Sequence, residues 1–129
     1  MPSSVGIDLV DIAEIVGSIE RFGSRYLERV YTEQEIVAYL AYGPASLAAC
    51  FAAKEAAVKA LAVGSDPLPW RSIELLGPPS APTLRLTGNA RRLALERGAS
   101  CVDISVTTTR DYALAVVIAD GAEEHVSAP

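Results

Sequence analysis

The chain has 129 residues, half of them apolar and 21% charged, and a formal net charge of −5. That composition excludes a disordered chain, and the length supports one core that buries about two-thirds of the unfolded surface. No apolar run reaches the ~20 residues of a membrane-spanning helix, and 11 basic against 16 acidic residues argue against nucleic acid as the main partner.

Residues 5–10 alternate as a short strand, with Val5, Ile7 and Leu9 on one face and Gly6, Asp8 and Val10 on the other. Residues 11–30 carry a looser helical pattern, broken near Gly23. Thr32 to Glu35 fits a capping box that opens a short helix to about Tyr42, where Gly43-Pro44 stops it. Ser46 is the expected cap of a long alanine-rich helix running to about Ala62 and ending at Gly64. Ser72–Leu76 and Thr83–Leu86 read as strands around a proline-rich turn, Asn89–Arg97 as a helix closed by Gly98. Cys101–Thr107 and Tyr112–Ala119 read as a final pair of strands. The expected fold class is α+β: a single domain over 1–120 with a mostly antiparallel sheet packed on the long central helix, then a flexible tail over 121–129.

Few residues are equipped for chemistry. One histidine, His125, and two cysteines, Cys50 and Cys101, argue against a zinc cluster, a histidine triad and a disulfide framework. The N-terminal stretch has neither the basic start nor the apolar run of a signal peptide, so a cytoplasmic location is expected. Asp8 sits inside an apolar strand, where a carboxylate is costly unless it is paired, solvated or bound to a cation. It reads either as a strand-end aspartate reaching water or as a hard oxygen ligand. Glu55 and Lys59 stand four apart on the long helix, as an exposed ion pair or as part of a phosphate-handling site. Arg21, Arg25 and Arg29 recur every four residues and would form one basic stripe on a continuous helix, either a solvated face or a docking surface for an acidic partner.

Gly6-Ile7-Asp8-Leu9-Val10-Asp11-Ile12 resembles the opening motif of the holo-acyl-carrier-protein synthase family, the small phosphopantetheinyl transferases. Phe51-Ala52-Ala53-Lys54-Glu55-Ala56-Ala57-Val58-Lys59-Ala60-Leu61, followed by Gly64, is similar to its second motif. Trp70 to Glu74, Pro82 to Thr87, Ile104 to Thr107 and Asp111 to Ala115 resemble its later segments, so the likeness spans about residues 5–119. The resemblance implies transfer of 4′-phosphopantetheine from coenzyme A to a serine of an apo acyl carrier protein, releasing adenosine 3′,5′-bisphosphate. It implies Mg²⁺ held by Asp8 and Glu55, and Glu55 activating the acceptor hydroxyl. Lys59 would stabilise the leaving phosphate, and Lys54, Lys59, Gly64, Thr107 and Thr108 would contact coenzyme A. It also implies a first helix that meets an acidic carrier, for which Arg21 and Arg25 of the stripe are the expected docking residues, and a homotrimer with sites between subunits. Such chemistry needs charge neutralisation and positioning more than a nucleophile from the protein, which suits a chain so poor in histidine.

Three positions depart from the family pattern. Thr108 stands where histidine is common, Cys50 where arginine is common, and Glu14 where arginine often lies on the first helix. The first two keep open a catalytically weakened coenzyme A and carrier binding module of the same fold. An unrelated α+β oligomer, with Glu55–Lys59 as a surface ion pair, is the other alternative.

Overall fold

Alternation in the first strand governs how the molecule is put together. In the computed structural model, which describes residues 2–61 and 68–121, strand β1 (Ser4–Asp11) turns Gly6, Asp8 and Val10 inward and leaves Val5, Ile7 and Leu9 exposed. Inward lies helix α4 (Pro44–Leu61), whose Ala48, Ala49, Ala52, Ala53, Ala56, Ala57 and Ala60 are all buried. Alanine methyl groups along one side of the helix let a neighbouring backbone come close. Gly6 uses this: a Cβ there would lie 1.9 Å from the Ala56 carbonyl oxygen. The strand therefore rests directly on the helix backbone.

Asp11 caps helix α1 (Ile12–Phe22) by accepting from the Ala13 N–H at 3.0 Å. Gly23, with φ of 57°, separates it from α2 (Ser24–Val30), as the looser pattern anticipated. Helix α3 (Glu33–Tyr39) opens with the capping box of Thr32 and Glu35 and passes into a 3₁₀ turn, Leu40–Tyr42. The long helix begins two residues before its expected cap at Ser46. Gly43, at φ of 101°, breaks the chain direction, and Pro44 takes the first helical position, where a missing N–H and a fixed φ cost nothing.

Strand β2 (Ile73–Leu76) starts one residue later than its alternation suggested. Trp70–Ser72 forms a 3₁₀ turn instead, closed by the Ser72 hydroxyl and N–H donating to the Pro69 carbonyl at 2.7 and 3.0 Å. β2 pairs only with β3 (Thr83–Leu86), as a separate antiparallel hairpin. Helix α5 (Gly88–Arg97) is closed by Gly98 in the left-handed region. β4 (Ala99–Thr108) and β5 (Tyr112–Gly121) complete an antiparallel sheet of order β1-β5-β4. The architecture is α+β, with sheet and hairpin both packed on α4. Gly121, assigned to the tail from sequence, pairs with Ala99 in the sheet; residues 122–129, and with them the rest of that expected tail, lie outside the described residues. Among the described residues no helix is long and apolar enough to cross a membrane.

Candidate active site

The close approach at Gly6 places the next inward residue of β1, Asp8, over the C-terminal half of α4. There Lys59 Nζ donates to Asp8 Oδ1 at 3.1 Å and to the Ile7 carbonyl at 3.0 Å. The Asp8 side chain is 15% exposed and that of Lys59 55% exposed, so the pair sits at the lip of the molecule. Lys59 thus pairs across to the strand rather than back along its own helix to Glu55. Glu55 is partly buried beside them. Its carboxyl is raised above the ordinary value of 4.5, first by burial and then by the negative charge of Asp8, while Lys59 pulls it down. The three charged residues that sequence reading singled out are therefore brought together.

Asp8 and Glu55 offer two hard-oxygen ligands that repel one another, a donor set that a divalent cation relieves. Among the described residues no group of three or more His, Cys, Asp or Glu side chains is gathered for a metal. A cation held here would complete its shell from water and substrate phosphate, the usual habit of Mg²⁺. The residues present fit that ion.

Lys54 is corrected. It does not face solvent: its side chain, like that of Glu35, has no exposed surface, and the two pair at 2.7 Å. Lys54 Nζ also donates to the carbonyls of Trp70, at 3.1 Å, and Ile73. All three of its donors are spent inside the core, so it cannot serve as a coenzyme contact. The physical reason is that Lys54 projects from the side of α4 covered by α3 and the Trp70–Ser72 turn, whereas Glu55 and Lys59 project from its partly exposed side. Glu35 in turn accepts from the Thr32 N–H, the Leu75 N–H and the Cys50 thiol, at 2.9, 2.7 and 3.2 Å. Burial, then the Glu35 charge, push the Cys50 thiol up, so the cysteine that replaces a common arginine is an inert neutral donor.

The basic stripe is also corrected. Gly23 interrupts it, so Arg21 ends α1, its guanidinium 5.9 Å from the Phe22 ring centroid, while Arg25 and Arg29 lie on α2. Arg25 and Arg29 line a cleft of about 390 Å³ with Tyr26, Phe51 and Trp70. The Phe51 and Trp70 rings meet at 5.3 Å. Phe51, Glu55 and Lys59 follow one another at single-turn intervals, so the cleft lies next to the carboxylates along one helix face. The aromatic wall and the buried Glu35–Lys54 pair were missed from sequence. The available signal was that Leu47, Cys50 and Leu61, apolar and buried, share the side of α4 from which Lys54 projects.

Thr107 and Thr108 are exposed near the end of β4. Pairing puts Thr107 opposite Leu114, itself opposite Leu9, on the sheet face turned away from α4. Thr107 and Asp8 are therefore on opposite faces of the same sheet. Gly64 lies outside the described residues.

Residues 4–117 match the family model of the 4′-phosphopantetheinyl transferase superfamily. The chain is 39% identical over 128 residues to a holo-[acyl-carrier-protein] synthase of Desulforudis audaxviator, covering 93% of this chain and 94% of that one. It is 44% identical over 117 residues to the enzyme of that name from Nitratidesulfovibrio vulgaris, covering 88% and 94%. Its fold is similar to the Helicobacter pylori holo-[acyl-carrier-protein] synthase solved in complex with coenzyme A. That match has a TM-score of 0.79 and 32% identity, covering 90% of this chain and 99% of that one. Matches of this extent, over a fold that gathers the charged residues of both motifs, place the chain in the holo-[acyl-carrier-protein] synthase family of phosphopantetheinyl transferases.

Proposed function

We propose that this protein transfers the 4′-phosphopantetheine arm of coenzyme A to a serine hydroxyl of an apo acyl carrier protein and releases adenosine 3′,5′-bisphosphate. The observation that carries the reading is the meeting of Asp8, Glu55 and Lys59 at the lip of β1 and α4. In this reading Asp8 and Glu55 would hold Mg²⁺. The ion supplies charge neutralisation when bound. Glu55, partly buried beside Asp8, would accept the acceptor serine proton. The serine oxygen forms a bond to the phosphorus bearing pantetheine as the bond to the bisphosphate oxygen breaks. Lys59, half-exposed, swings its ammonium to that departing phosphate. The reaction is expected in the cytoplasm, where coenzyme A and carrier proteins meet.

The basic residues Arg21 and Arg25 suit an acidic carrier, and Glu14, in the first turn of α1, opposes it. Intact-mass spectrometry of an apo acyl carrier protein with this protein, coenzyme A and Mg²⁺ tests the assignment. The expected result is a gain of one phosphopantetheine that a chelator abolishes and that charge reversal at Arg21 and Arg25 slows at low salt. No gain with any of several carriers, alongside measurable coenzyme A binding, would instead favour the binding-module reading.

A homotrimer with shared sites follows the same reading. Val5, Ile7, Leu9 and Ile118 are 62%, 54%, 60% and 43% exposed on one face of the sheet, an apolar surface that a lone chain would leave in water. Thr107 lies on that face, so covering it with another copy is the route by which Thr107 would reach a coenzyme held at a neighbour's carboxylates, whereas Thr108, paired with Ala113 opposite Val10, lies on the α4 side of the sheet. Sedimentation equilibrium should give about three times 13.6 kDa; a monomer mass at micromolar concentration would refute the shared site.

A further inference from the structure

We propose that the buried Glu35–Lys54 pair is the positioning device of the cleft, holding Trp70 against Phe51 and so setting the gap that receives the carrier segment around the acceptor serine. The inference rests on the transferase reading above. Its starting point is a cost without an evident return: two opposite charges with no exposed surface, in a core that apolar side chains could fill as well.

What the pair does is specific. Lys54 Nζ bridges Glu35 on α3 to the carbonyls of Trp70 and Ile73, at either end of the 3₁₀ turn. Glu35 also takes the N–H of Leu75, so one ion pair ties α3, α4, the turn and β2 together. The turn has other restraints as well: Ser72 closes it on Pro69, the Ile73 N–H donates to the Trp70 carbonyl, and the Ser72 carbonyl accepts from the Thr87 N–H at 2.9 Å and the Thr87 hydroxyl at 3.4 Å. With its backbone fixed, Trp70 sets its ring 5.3 Å from Phe51, and the two form one wall of the cleft that Arg25 and Arg29 also line. An apolar residue at 54 would fill the space but offer no donor to either carbonyl. Directional hydrogen bonds supply what hydrophobic packing cannot, a defined angle for the turn.

Trp70 is the sole tryptophan, so its fluorescence reports the turn directly, without turnover. Lys54→Met is compared with the wild type by acrylamide quenching, and Lys54→Met, Trp70→Ala and the double variant are compared by KM for the apo carrier against kcat. Lys54→Met is expected to raise the quenching constant and to raise KM about tenfold, with kcat within about twofold of wild type. The double variant should be no worse than Trp70→Ala, because both act through one wall. Independent, multiplicative effects on KM would overturn the proposal, as would a fall in kcat at unchanged KM.

If Lys54→Met alone does not fold, because Glu35 is left charged and buried, the neutral pair Glu35→Gln with Lys54→Met takes its place. Greater quenching and a raised KM in that folded variant support the proposal. Wild-type quenching and KM would refute it. A wild-type protein that transfers nothing refutes the transferase reading, while the quenching comparison still decides whether Lys54 positions Trp70.

Discussion

Replacing Glu55 by glutamine is expected to slow phosphopantetheine transfer by at least about 10²-fold, the loss usual for a positioned general base, while raising the unfolding temperature at pH 7. The two halves of that result have one cause. Partial burial and the Asp8 charge raise the Glu55 carboxyl in the folded chain, outweighing the attraction of Lys59. A carboxyl raised on folding favours the protonated form. Its stabilising contribution is fully present below the unfolded value and is lost as pH rises through the raised folded value. At pH 7 the ionised carboxylate is thus a liability to the fold, retained for what it does at the site, and glutamine removes it. Thermal denaturation at pH 7 and again near pH 3 checks the sign: the advantage of the variant should shrink at acid pH. A simple exposed Glu55–Lys59 ion pair would give the reverse, a small loss of stability below about 0.5 kcal/mol with transfer unchanged.

Gly6→Ala is expected to destabilise the chain by more than about 3 kcal/mol, beyond the ordinary range of overpacking. The added Cβ would fall 1.9 Å from the Ala56 carbonyl oxygen, 2.8 Å from the Ala60 nitrogen and 2.9 Å from the Ala56 carbonyl carbon. All three are backbone atoms of α4, so no side chain can turn aside, and strand and helix must separate. The same shift would carry Asp8 away from Lys59, so any fraction that folds should lose transfer activity as well. Gly17→Ala is the control. Gly17 lies within α1, where a Cβ would meet nothing within 4 Å, and alanine there should stabilise by up to about 1 kcal/mol. Urea denaturation of the two variants measures both effects; a Gly6→Ala midpoint equal to wild type would mean the strand does not rest on the helix backbone.

Much of this architecture is legible because its causes are local. The Thr32–Glu35 capping box, the break at Gly23, the stop at Gly98 and the alternation of β1 are each decided within a few residues. The start of α4 at Pro44 and the 3₁₀ turn at Trp70–Ser72 went unread because proline at a first helical position and a serine bonding back to Pro69 are weaker signals than alternation or a classical cap.

The candidate site divides along the same line. By itself the sequence determined most of the elements, which residues of β1 share a face, and the presence of Asp8, Glu55 and Lys59 in two family motifs; which face of β1 turns inward it did not. Tertiary structure alone decided that Lys59 reaches Asp8 across the strand and that Lys54 turns inward to Glu35. Helical spacing states which residues share a face, but a helix of alanines has no polar side to mark which face is covered. Only the strand resting on Gly6 and the turn docking at Trp70 cover two different faces of α4, and that packing assigns one lysine to the core and the other to the lip of the site.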